Sequence, residues 1–250
     1  LEKEYGSKVS DKEVDKELAK QKKQLGNQFD AYLAQQGLTE ETAKKQIRSN
    51  MLLEYAVNQA AKKDIKESDY KAAFESYTPE VTAQIIKLDS EDKAKEVLEA
   101  AKAEGADFAQ IAKDNSTDTA TKDKGGEVKF DSGTSGIPSQ VKEAAFKLDE
   151  NGISDVITVS AGQNYSASYY IVKLNKKTEK GSDWKKYEKR LKEIIVDGRK
   201  QDTNYIRSII AKAMTNANIK VKDDAFKSTF NQYLQNIGVQ TSDSKSSSKK

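Results

Sequence analysis

The sequence predicts an α+β protein in which a small mixed domain over residues 79–175, roughly 95 residues and so of single-domain size, lies between two helical segments. Three observations predict it. Apolar residues recur at helical spacing over residues 1–78 and again from Gly181; the period switches to that of strands at PEVTAQIIKL, DVITVS and SYYIVKL; and glycines at 105, 125, 126 and 152 punctuate the middle stretch.

Residues 1–78 read as three amphipathic helices. Ser10 and Glu13 in SDKE form a capping-box pattern, and Val14, Leu18, Leu25, Phe29 and Leu33 follow at helical spacing, so one helix is expected from Ser10 to near Gly37. Thr39 caps the next, whose apolar side carries Ile47, Met51, Leu52 and Tyr55. Ser68 begins a third with Tyr70, Phe74 and Tyr77 on one side, stopped by Pro79. Such stripes mean helix packing, because amphipathic helices cannot bury their apolar sides alone.

In the middle stretch Val81 to Leu88 reads as a strand. Ser90 caps a helix with Ala94, Val97, Leu98 and Ala101, ended by Gly105, and Asp107 caps a second with Phe108, Ile111 and Ala112. NSTDTATKDKGGE is a polar loop in which Gly125 and Gly126 admit backbone angles closed to other residues. Two glycines beside lysines also suggest a phosphate loop, but the spacing of one is missing. Phe146 and Leu148 face a core, Gly152 ends the helix before the closing strands, and AGQNYSAS turns between those strands. Tyr165 and Tyr169 are expected in that hairpin, exposed.

From Gly181 the pattern is helical again. Asp183 caps a helix with Trp184, Tyr187, Leu191 and Ile194, Gly198 is the expected kink, and the stripe resumes through Tyr205, Ile209 and Ala213. ANIKV reads as a short extended piece. Asp223 starts a last helix with Phe226, Phe230, Tyr233 and Leu234. From Thr241 the Ser- and Lys-rich sequence is too polar to fold, so 241–250 is expected to be a disordered tail.

Composition narrows the function classes. A hydrophobic fraction of 36% against a charged fraction of 33% suits a helical, heavily solvated chain better than a compact globule. With 43 basic and 40 acidic residues the net charge is only +3, so no single-sign field speaks for a nucleic-acid partner. The absence of cysteine excludes disulfides and zinc–thiolate sites, and the absence of histidine excludes a histidine-ligated metal centre and a Ser-His triad. No metal or cofactor is expected. No apolar run approaches the roughly 18 residues of a membrane span. The chain begins at Leu1 rather than Met, which leads to the expectation that an export signal has been removed.

DFAQIAKDNSTD, the GGE turn followed by Phe130, AAFKLDENGIS and the closing apolar strand, in that order, resemble the parvulin family of peptidyl-prolyl isomerases. The flanks narrow the resemblance, because LEKEYGSKVSDKEVDKELAKQKKQLGNQFDAYLAQQGLTEE is similar to the N-terminal region of the PrsA-type extracytoplasmic foldases of Gram-positive bacteria. The resemblance covers most of the chain, excluding the tail. It implies a parvulin-like α/β domain, 79–175, inserted in a mostly helical domain whose N-terminal segment, 1–78, packs with a C-terminal one, 176–240. It also implies a homodimer, and a lipid anchor to the outer face of the cell membrane.

The site implied by the resemblance departs from the family pattern. Gln84 in TAQII takes the place of the first family histidine, Tyr170 in YYIV that of the second, and Asp118 in STD keeps the third polar position. The apolar pocket falls on Val128, Ile137 and Val141, where longer Leu, Met and Phe are usual, and Phe130 and Phe146 are assigned with them to substrate binding. Isomerisation of an X-Pro bond faces a barrier of about 18 to 20 kcal/mol and breaks no bond, so preferential binding of the twisted amide is the whole task. Gln and Tyr carry donor and acceptor sets different from those of histidine, so the network orienting such a site cannot be the same.

The leading expectation is therefore a foldase or chaperone that holds unfolded or nascent secreted polypeptides in a cleft between the helical and parvulin-like domains, weak or inactive as an isomerase. An active isomerase using Asp118, Gln84 and Tyr170 is the alternative. A surface adhesin is the third. Gln84 and Tyr170 filling a core across the sheet from each other is the plain structural reading of those two positions.

Overall fold

A computed structural model describes residues 1–161, 166–217 and 224–236, and the chain divides into two units, residues 1–70 together with those from 192, and residues 71–191. The sequence positions of Tyr165, of the ANIKV piece after Ala217, of Asp223 and of the 241–250 tail lie outside the described residues.

In the first unit, helices start where side chains replace missing intrahelical acceptors. After a short α1 (Glu2–Tyr5), α2 (Asp11–Leu25) begins at a capping box: Glu13 N–H donates to Ser10 Oγ at 3.3 Å, and Ser10 N–H donates to Glu13 Oε2 at 2.8 Å. The single helix expected up to Gly37 is broken. Gly26, at φ +50°, ends α2, and a 3-10 turn leads to α3 (Phe29–Gln35). α4 (Glu40–Lys63) follows, with Thr39 and Thr42 capping each other. Val14, Leu18, Phe29, Leu33, Ile47 and Leu52 form one core. Arg48 closes it from outside, donating to Val9 O at 2.8 Å, to Gly6 O at 3.1 Å and to Glu2 Oε1 at 2.7 Å.

α5 (Glu67–Ser76) crosses into the mixed unit, in which β1 (Val81–Leu88), α6 (Glu91–Lys102), α7 (Phe108–Asn115), β2 (Glu127–Phe130), α8 (Ser139–Lys147), β3 (Ile157–Ala161) and β4 (Ser166–Lys177) follow in order. The sheet is antiparallel in the order β2-β1-β4-β3. Strand alternation then sorts the apolar residues onto two faces. Ile86, Leu88 and Ile171 pack under α6 and α7; Val81, Ala83, Ile85, Val172 and Leu174 pack under α8. Tyr169, expected to be exposed, is half-buried against the α6–α7 core, because its register opposite Leu88 turns it inward.

The Gly125–Gly126 turn joins the polar loop to β2. Gly126 has φ +78°, and a Cβ there would stand 2.5 Å from Ile85 O; Gly125 has φ +66°, and a Cβ there would meet the Ala109 Cβ at 2.7 Å. Both positions therefore demand glycine. The close approach is what lets Ile85 N–H donate to Gly126 O at 2.9 Å.

α9 (Glu188–Gln201), α10 (Thr203–Ala217) and α11 (Asp224–Asn236) complete the described chain. The kink expected at Gly198 falls instead at Asp202, whose carboxylate accepts from Asn204 N–H at 2.8 Å and caps α10. Within the first unit, Ile209 of α10 packs on Ala56 and Val57 of α4. Arg199 adds polar ties, donating to Ala61 O at 3.0 Å and to Asp69 Oδ2 at 2.8 Å.

Candidate functional site

The α8 side of the sheet carries a half-buried apolar surface. Val128, Ile137, Phe146 and Tyr170 are half-buried there, around a floor that includes Ile85, Phe130 and Val141. The five apolar residues assigned to substrate binding thus split into two roles. Phe130 and Val141 retain 1% and 0% of their exposure, which removes them from any binding surface and makes them the floor on which it rests. Phe146 stands on that floor with its ring 5.7 Å from Phe130, tilted by 51°.

The three polar positions are not brought together. In β1, Gln84 shares a face with Ile86, while Tyr170, opposite Lys87 in β4, shares the other face with Ile85 and Val172. The expected pairing of Gln84 with Tyr170 is therefore wrong, since successive strand residues point to opposite faces and a one-residue offset separates them completely. Gln84 bonds to the main chain. Its Nε2 donates to Gly125 O at 3.0 Å and steadies the glycine turn. Asp118 is also committed to its own loop, accepting at Oδ1 from Ala120 N–H at 3.1 Å and at Oδ2 from the Thr121 hydroxyl at 2.7 Å. No hydrogen bond joins any two of Gln84, Asp118 and Tyr170.

Residues beyond those expected shape the site. Ile85 occupies the β1 position on the Tyr170 face, and Leu148, Ile157 and Val159 extend the half-buried surface. The loop that delivers Ile137 is fixed by Asp131, which is only 6% exposed. Arg190 donates to it twice, Nε to Oδ2 at 2.6 Å and Nη2 to Oδ1 at 2.9 Å. Tyr77 and Thr134 donate their hydroxyls at 3.1 and 2.9 Å, and Lys142 Nζ caps the Ser132 and Thr134 carbonyls, both at 2.9 Å. Burial pushes the Asp131 carboxyl up, but the hydrogen bonds from Arg190 and Thr134 and the guanidinium charge outweigh it and hold the group below the ordinary aspartate value. Burial, then the neighbouring Asp131 charge, push the Tyr77 phenol well above its ordinary value. A D-x-x-T turn signal was readable at Asp131 and Thr134; nothing local in the sequence pointed to Arg190.

Chemically, the surface can seat an apolar or prolyl side chain, and of the three polar positions only Tyr170 belongs to it. Among the described residues no group of three or more acidic side chains is placed to hold a metal ion, and no helix is long and apolar enough to cross a membrane.

Residues 77–176 match the family described as Rotamase, the PPIC-type PPIASE domain. This defines the mixed unit as a parvulin-type domain carried by helical flanks. Over 238 residues the chain is 60% identical to Foldase protein PrsA of Streptococcus sanguinis (strain SK36), covering 95% of this chain and 71% of the relative. Over 249 residues it is 58% identical to Foldase protein PrsA of Streptococcus gordonii (strain Challis), covering 100% and 79%. The crystal structure of foldase protein PrsA from Streptococcus pneumoniae str. Canada MDR_19A superposes with a TM-score of 0.85 at 54% identity, covering 93% of this chain and 85% of that one. The chain belongs to the PrsA foldase family.

Proposed function

We propose that this foldase acts outside the cytoplasm and holds unfolded secreted polypeptide on the α8 side of its parvulin-type domain, with little or no isomerase catalysis. The observation that carries this reading is the separation of the polar positions: Gln84 and Asp118 are committed to loops, and of the three only Tyr170 stands within the apolar surface. Such a surface binds apolar segments without favouring a twisted amide over a planar one, and differential binding is what catalysis needs. Val128, Ile137, Phe146 and Tyr170 are the residues that touch the client. Attachment to the outer face of the membrane through a lipid, assembly as a homodimer, and a domain division at 1–78, 79–175 and 176–240 belong to the same reading.

The test is suppression of aggregation of a reduced, unfolding client by the intact chain and by Ile137→Ser/Phe146→Ser. The reading expects suppression at a few-fold molar excess that the double variant weakens. No suppression by the unaltered chain at several-fold excess overturns it. The second reading, an active isomerase without histidine, rests on Tyr170 standing half-buried within the apolar surface.

A further inference from the structure

The four-stranded sheet ends in two outer strands that are built differently. β2 has four residues, and its Glu127 and Lys129 are exposed charges of the kind that blunt a sheet edge. β3, ITVSA, has no charge, proline or glycine. On its inner side it pairs with β4, from Ile157 opposite Tyr170 to Ala161 opposite Ser166. On its outer side, among the described residues, no strand and no hydrogen bond takes up the main chain of residues 157–160. Ile157 and Val159 meanwhile lie on the α8 side, half-buried in the surface that holds Tyr170 and Phe146.

We propose that the outer edge of β3 is a β-augmentation site for an extended segment of an unfolded polypeptide. The occupant follows from the geometry. A row of unpaired N–H and C=O groups is satisfied in register only by another extended backbone. A strand added there runs about 4.8 Å from β3, so alternate side chains fall next to Ile157 and Val159 and continue the apolar surface. The lack of charge admits apolar segments. Main-chain pairing is also largely indifferent to sequence, which suits a protein that must meet many clients. This inference rests on the reading that the chain binds unfolded polypeptide.

The test uses the intact chain with two probes, reduced carboxymethylated α-lactalbumin and a short alternating Val-Thr peptide with single N-methylated variants. Amide exchange of residues 157–160 is followed by mass spectrometry or NMR. The proposal expects the peptide to slow exchange at this strand. It expects N-methylation at every second peptide position to weaken binding about tenfold, as the loss of one or two main-chain hydrogen bonds gives, with no effect at the intervening positions. Thr158→Lys/Ser160→Lys, which leaves the α8-side residues in place, should weaken both probes similarly. If lactalbumin is held but N-methylation has no alternation and β3 amides exchange as before, the edge proposal fails while the foldase reading stands. If neither probe binds the unaltered chain, both fail. Protection of β3 that rises with protein concentration in the absence of probe would assign the edge to a second copy and overturn the proposal.

Discussion

Arg190 grips both oxygens of the buried Asp131 carboxylate, Nε to Oδ2 at 2.6 Å and Nη2 to Oδ1 at 2.9 Å. Asp131 lies within the parvulin-type stretch, 77–176, and Arg190 lies beyond it. The loop that presents Ile137 is therefore completed from a helix that the domain match does not include.

Removing the guanidinium leaves a buried carboxylate with only hydroxyl partners. Arg190→Met should destabilise the intact chain by roughly 2 to 3 kcal/mol, less than a fully buried pair because about a third of the Arg190 side chain remains accessible to water. Arg190→Lys, which cannot reproduce the two-pronged contact, should fall between the two. Denaturant unfolding of the three proteins measures this, and equal midpoints would show that the contact contributes nothing.

The same cluster sets two limits in pH. Asp131 has its carboxyl held below the ordinary value in the folded state, so its contribution is present above about pH 4 and is lost as the pH falls through the folded value. Tyr77 is shifted the other way. Its contribution is present below about pH 10 and is lost as the pH rises, because the unfolded phenol ionises first. The stability gap between the unaltered chain and Asp131→Asn should shrink below about pH 4, and that between it and Tyr77→Phe should shrink above about pH 10. Parallel curves in unfolding titrations would contradict both assignments.

Two glycines with similar backbone angles should respond differently to alanine. Gly126→Ala places a Cβ 2.5 Å from Ile85 O, whereas Gly105→Ala, at φ +74°, meets nothing within 4 Å. The Gly105 change should cost about 1 to 2 kcal/mol, the strain of a left-handed residue alone. The Gly126 change should cost more and disturb the β1–β2 pairing, which thermal unfolding together with amide exchange at Ile85 would reveal.

Client binding should separate the apolar positions from the polar ones. Phe146→Ser should weaken binding of an unfolded client severalfold, since half-buried aromatics supply most of the contact energy at such surfaces. Gln84→Ala and Asp118→Ala should instead lower stability, through the turn and loop they hold, and leave client affinity unchanged once folded protein is compared. A loss of affinity in Gln84→Ala equal to that in Phe146→Ser would return Gln84 to the site.

Much of the local structure was legible in the sequence because it is set locally. Ser10 with Glu13, the alternation through β1 and the paired glycines each state their own geometry within a few residues. The break at Gly26 was hidden because the apolar stripe from Leu25 to Phe29 keeps helical spacing across it. The face of Gln84 was lost for a different reason: strand period is two, so an alignment offset of one residue exchanges Gln84 for Ile85 and moves the residue through the sheet. Which apolar residues are floor and which are surface depends on the packing of α8 over β1 and β4, and Asp131 with Arg190 depends on a contact across 59 residues. Neither leaves a periodic trace.

Holding a client and isomerising it are separated by the proline-limited slow phase in refolding of a reduced client, followed with the intact chain at substoichiometric concentration. The slow-phase rate should be unchanged under conditions where the same protein, in excess, suppresses client aggregation. An accelerated slow phase that Tyr170→Phe abolishes would contradict that expectation, and would make the chain an isomerase working without histidine.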